Sequence, residues 1–119
     1  MIPMSDIHWL AGLLEGEGHF SMETSNYKYH YPRIKLKMTD KDVVDRAGRL
    51  LGKTTKPVSR TGVPAHHKDQ WVVDMAGKKA AGWMMTLYSL MGERRKAKIK
   101  SILVASPALN NSAVSGARG

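Results

Sequence analysis

The chain of 119 residues carries 19 Lys and Arg against 10 Asp and Glu, a formal charge of +9 at pH 7, with 42% apolar residues. That length suits one domain around one hydrophobic core, and the apolar share excludes a disordered chain. No apolar run is long enough to cross a bilayer, no secretory leader is expected, and the absence of cysteine excludes disulfides and thiolate zinc sites. The expected setting is intracellular and reducing: cytoplasm, a phage-infected cell or an organelle matrix, with no membrane partner. The charge fits either a surface that happens to be basic or a polyanionic partner, most often nucleic acid, and does not separate DNA from RNA.

In chain order, Ser5 is placed to cap a first helix. Its apolar residues Ile7, Leu10, Leu13 and Leu14 recur at helical spacing, and Gly16 and Gly18 are its stop. His19 to Ser25 alternates, Phe20 and Met22 to one side and His19, Ser21 and Glu23 to the other, which predicts a half-buried strand. The stretch "SNYKYHYP" reads as a hairpin connection whose tyrosines can extend the strands. Arg33 to Met38 alternates again, Ile34, Leu36 and Met38 opposed to Arg33, Lys35 and Lys37.

Thr39 and Asp42 resemble a capping box for a second helix, with Val43, Val44, Ala47, Leu50 and Leu51 on one stripe and Gly52 at its end. Thr54 to Arg60 is strand-like but contains Pro57, so it is assigned to a sheet edge. "TGVPAHH" reads as a turn or longer loop. Lys68 to Met75 alternates, Trp71, Val73 and Met75 opposed to Gln70, Val72 and Asp74. A third helix has the stripe Ala80, Trp83, Met84, Leu87, Leu90 and Met91 and is broken by Gly92; "ERRKAKIKSILVA" predicts another, with Ile99, Ile102 and Leu103 inward. The small, polar stretch 107–119 is expected to be a poorly ordered tail, which leaves one domain over 1–106.

The order is α-β-β-α-β-β-α with a short helix after it, an α+β fold whose hairpins make an antiparallel sheet covered by helices on one face. With Phe20, Met22, Ile34, Leu36, Trp71 and Val73 against the helices, the other face carries His19, Ser21, Glu23, Arg33, Lys35, Lys37, Lys68, Gln70 and Val72. A solvated outer face has this polar, basic character. So does a sheet that reads a groove, which needs cations for phosphates and polar groups for base edges. The run Arg94, Arg95, Lys96, Lys98 and Lys100 is likewise either a basic helix surface or a phosphate-contacting one. His66 and His67 have no Cys or well-spaced third ligand beside them and predict no zinc site.

Where the first helix meets the first strand stands "LAGLLEGEG", residues 10–18. This stretch resembles the signature of the LAGLIDADG homing endonucleases. Leu10, Ala11, Gly12, Leu13 and Gly18 match it; Leu14 stands for isoleucine, Gly16 for alanine, and Glu15 and Glu17 for the two aspartates. The αββαββα order around it is also that family's order. The resemblance implies a DNA-binding saddle on the open face of the sheet. For a chain with one motif it implies a homodimer, cutting both strands of double-stranded DNA across the minor groove at a long, nearly palindromic site. Such proteins belong to mobile genetic elements.

The resemblance further implies metal at Glu17 and the Gly16 carbonyl, with Mg²⁺ or another divalent cation such as Mn²⁺ as cofactor. A water-ordering polar residue after the second strand is by position Asp40, which also fits as an acid at a helix N-terminus. A basic residue near the scissile phosphate falls among Arg94, Arg95 and Lys96, with Arg95 and Lys96 taken as catalytic. DNA contacts are expected from His19, Ser21, Glu23, Lys28, Arg33, Lys35, Lys37, Lys68 and Gln70, and dimer contacts from Ala11, Gly12 and Gly16. Gly12 and Gly16 lie on one helix face and permit two helix backbones to approach closely. Glu17 and its symmetry mate would repel each other and the phosphates, a conflict that divalent cations remove while polarising a phosphate and activating water. Glu15, in the last turn, is read as a solvated or capping residue. The alternative on the same fold is a cleavage-inactive DNA-binding regulator or an RNA-binding splicing maturase. A ribosome-associated basic protein without chemistry is a third class.

Overall fold

The fold is given by a computed structural model, which describes residues 2–25, 29–59, 62 and 68–106. Helix α1 (Met4–Glu17) runs into β1 (Gly18–Ser25) and β2 (Tyr29–Met38), followed by α2 (Lys41–Leu51), β3 (Lys56–Pro57), β4 (Trp71–Ala76), α3 (Lys78–Leu87), a single 3₁₀ turn (Tyr88–Leu90) and α4 (Glu93–Ala105). The sheet has the order β1-β2-β4-β3 with every neighbouring pair antiparallel. Tyr29 and Tyr31 do extend the second strand. The edge strand β3 is cut to two residues, one of them Pro57, which has no N–H to offer a further strand.

Register fixes which side chains meet the helices. Phe20 stands opposite Ile34 and Ile34 opposite Met75; Leu36 stands opposite Val73. All five are buried, together with Leu10 and Leu14 of α1, Val44 and Ala47 of α2, Met84 and Leu87 of α3 and Ile99 and Ile102 of α4. A slip of one residue would turn this whole layer to the other face, so burial itself enforces the pairing. Helix α1 is fastened to α2 by Arg46, whose guanidinium lies 3.1 Å from Asp6 and 4.0 Å from the centroid of Trp9. Among the described residues no helix is long and apolar enough to cross a membrane.

The helix ends differ from the expectations. Pro3, not Ser5, precedes α1, and its carbonyl accepts from the Asp6 and Ile7 N–H groups. Gly16 does not stop α1. The helix continues to Glu17 and ends at Gly18, where a Cβ would sit 2.7 Å from the Leu14 side chain. The capping box at Thr39 does not form: Asp40 is the N-cap of α2, accepting from Val43 and Val44 through its carbonyl, and Thr39 reaches only the Asp40 carboxylate at 3.4 Å. Leu90 leaves the apolar stripe of α3 and is 37% exposed, because the tighter 3₁₀ turn rotates it outward. Lys28, His66, His67 and the segment 107–119 lie outside the described residues.

Candidate nucleic-acid interface

The motif stands on α1 and the first residue of β1. At 100° per residue, Leu10, Ala11 and Leu14 share the face that packs on the sheet, while Gly12 and Gly16 fall on the opposite, exposed side. A methyl group added at either glycine would meet no atom within 4 Å outside the helix backbone around it. Nothing inside the protomer therefore requires glycine there, although each costs the helix about 1 kcal/mol relative to alanine. Ala11, expected on this outer face, is 3% exposed and belongs to the core of its own chain. It is one helical step away from the face that Gly12 presents.

The two motif acids are put to different uses. Glu15 reaches across to the last helix: its Oε1 accepts from the Gly92 N–H and its Oε2 lies 3.4 Å from Arg95 Nε. A carboxylate at this N-terminus satisfies an otherwise unpaired donor and suits the helix dipole. A Cβ at Gly92 would lie 2.9 Å from Glu15 Oε1, so that carboxylate would have to move aside. Glu17, the last residue of α1, is exposed and has no hydrogen bond or ion pair among the described residues. The Gly18 N–H returns to the Leu14 carbonyl, so the Gly16 and Glu17 carbonyls receive no donor from the helix.

Arg95, held by Glu15, lies 5.7 Å over the ring of Phe20. With Arg94, Lys98, His19 and Phe20 it lines an open cleft of about 310 Å³. This gathers cations beside the start of β1, where His19 follows Glu17 after Gly18. Lys96 is absent from the cleft. One helical step on from Arg95, its Nζ lies 3.8 Å from Glu93 and 5.9 Å from the ring of Tyr88. Sequence reasoning counted Lys98 only as one member of a basic run; its spacing of three from Arg95 was the available signal. The Asp40 carboxylate, exposed at the head of α2, accepts from the Thr39 hydroxyl at 3.4 Å.

The open face of the sheet is ordered by the same register. His19 of β1 stands opposite Lys35 of β2, which stands opposite Asp74 of β4; Ser21 faces Arg33, which faces Ala76; Glu23 faces Tyr31. Lys35 and Lys37 make no hydrogen bond or ion pair among the described residues. Arg33 does. Its Nε donates to Asp74 Oδ1 at 2.7 Å, its Nη2 donates to Oδ2, and its Nη1 lies 4.0 Å from Glu23, which itself accepts from the Ser21 hydroxyl at 2.9 Å. The hydrogen bonds from Arg33 hold the Asp74 carboxyl below its ordinary range, and those to Asp74 raise the guanidinium further above its own. Asp74 was not among the expected site residues. Alternation put it on the open face, but only register reveals that it meets Arg33. Lys68 and Gln70 are exposed just ahead of β4.

No protein-family model matches the chain, and no curated protein sequence matches it. Solved structures do. The chain is similar to a group I intron-encoded homing endonuclease, I-CeuI, complexed with DNA, with a TM-score of 0.65 at 13% identity over 97% of this chain and 60% of that one. It is similar to the homing endonuclease I-CvuI in complex with the I-CreI target, with a TM-score of 0.58 at 16% identity over 85% of this chain and 64% of that one. It is also similar to the LAGLIDADG homing endonuclease I-GzeII in complex with its DNA target, with a TM-score of 0.52 at 14% identity over 91% of this chain and 40% of that one. The chain thus spans less than two thirds of the length of each. With the motif of residues 10–18 on α1 and β1 and helices on one face of a four-stranded antiparallel sheet, the chain has the LAGLIDADG homing endonuclease fold.

Proposed function

We propose that the chain is a site-specific DNA endonuclease that acts as a homodimer on a long, nearly palindromic duplex and requires a divalent cation. The observation that carries this reading is Glu17, a carboxylate without a partner among the described residues, at the exit of a helix whose outer face is bare at Gly12 and Gly16. Two copies of α1 crossing at those glycines would place the two Glu17 side chains side by side, and a two-fold axis there matches a palindromic target. The structures similar to this one are homing endonucleases bound to DNA, which favours a duplex as the polyanion.

The donors available at the motif suit the cation. A carboxylate and a carbonyl without a helical donor are hard oxygen ligands, as Mg²⁺ and Mn²⁺ prefer. Among the described residues, no three His, Asp or Glu side chains converge within one chain. The remaining ligands would therefore come from the second copy, from water or from the nucleic acid. When bound, the cation supplies polarisation of a phosphate and a more acidic water. The chain's own contribution is positional. Glu15 fixes Arg95 next to Phe20, so a guanidinium stands ready to neutralise a phosphoryl oxygen as its charge grows. Arg94 and Lys98 in the same cleft bind neighbouring phosphates, and His19 contacts backbone or base at the start of β1. Asp40, exposed at the N-terminus of α2 with no side-chain cap bond, keeps its proposed part as the residue that orders water near the cation.

The test is a randomised duplex library incubated with the protein and Mg²⁺ or Mn²⁺. Selected sites should be cut on both strands, and Glu17→Gln should lower the cutting rate by about 100-fold or more while keeping affinity for the same sites. Selective binding by the wild type with no cut under either metal would replace this reading with that of a regulator.

A further inference from the structure

On the open face of the sheet, Arg33 differs from the other cations in being held from two sides. Asp74 takes its Nε and one Nη2 hydrogen, and Glu23, anchored by Ser21, stands 4.0 Å from Nη1. Its directly paired cross-strand neighbours, Ser21 and Ala76, are small. We propose that Arg33 reads a guanine in the major groove and that Asp74 is the positioning residue that aims it. This inference rests on the DNA-reading function above.

The chemistry of the cluster selects a base edge over a phosphate. Two carboxylates flank the one guanidinium and offset its attraction for a phosphate, for which Lys37, without an ion pair among the described residues, is better placed. The uncharged edge of a base meets no such penalty. Asp74 occupies the side edge of the guanidinium and leaves the distal edge, where one hydrogen on Nη1 and one on Nη2 point the same way. Guanine presents the matching pair of acceptors, O6 and N7, to the major groove; adenine and thymine each offer one acceptor there and cytosine offers a donor. An arginine already fixed in its rotamer loses little freedom on binding, and its angle of approach is set before the duplex arrives. The hairpin of β1 and β2 supplies a two-stranded ribbon of the kind the major groove admits.

The experiment is selection of duplexes from a randomised library, run in calcium so that binding is read apart from cutting, with melting curves recorded for every variant. Wild-type sites should hold a G·C pair at one position in each half-site, preferred by about 10-fold or more. Asp74→Asn, which keeps shape and removes charge, should flatten that preference alone and leave the other positions unchanged. Arg33→Lys, which keeps charge and removes the fork, should do the same. Lys35→Ala should weaken all sequences alike and lower the salt slope by about one. Retention of the G·C preference in both Asp74→Asn and Arg33→Lys, or a wild-type site with no such position, overturns the assignment while leaving the endonuclease reading intact. Loss of sequence selectivity in the wild type itself overturns both.

Discussion

Glu15 and Glu17 are the same residue type two positions apart, yet one is tied to α4 and the other has no partner among the described residues. The helix turn between them decides it: Glu15 points toward the head of α4, and Glu17 ends α1 in solvent. Gly92 is the other half of the first arrangement. Gly92→Ala places a methyl against Glu15 Oε1 and should break the hydrogen bond to the Gly92 N–H, lowering stability by about 1 kcal/mol in denaturant melts. Gly82→Ala, in the open interior of α3, should by contrast be neutral or stabilising in the same assay. Equal losses at both positions would remove the special role given to Gly92. The motif made both acids visible in the sequence. It did not show that Arg95, and not Lys96, faces the motif, because that depends on where Glu15 grips a helix 77 residues away.

Helices and strands were legible because burial imposes a period, and the period of each element agrees with its face. Phe20, Ile34, Leu36 and Val73 fell where alternation placed them, and so did the polar residues between. What periodicity resolves poorly is an end or a single helical step. Ala11 was assigned to the wrong side of α1 by one step, and the exits of α1 and α3 moved by a residue or more. The pairing of Arg33 with Asp74 was illegible for another reason: two strands contribute one charge each, and only their mutual register joins them. At this scale the bare face of α1 yields a direct test. Gly12→Leu adds a side chain where the protomer has room, so the melting temperature of the chain should not fall. The species on a saturating duplex should drop from two copies to one by light scattering. An unchanged two-copy complex would move the interface elsewhere.

Among the described residues, cations gather in the cleft with Arg94, Arg95 and Lys98 and on the open sheet face with Lys35 and Lys37. Both would face the same duplex, so binding should release many counterions. Affinity should fall by about 1,000-fold or more between about 50 and 200 mM salt, measured by fluorescence anisotropy on one fixed site. A shallow dependence would mean that the charge is mere surface. The grip of Glu15 on Gly92 has a temporal consequence. The ribosome makes the acidic end of this contact early and the basic end late, so a growing polypeptide displays Glu17 long before the cationic cleft beside it exists. On the proposed reading, a nascent chain already carries its metal-binding acid but lacks the cations that would grip a phosphate until α4 has docked.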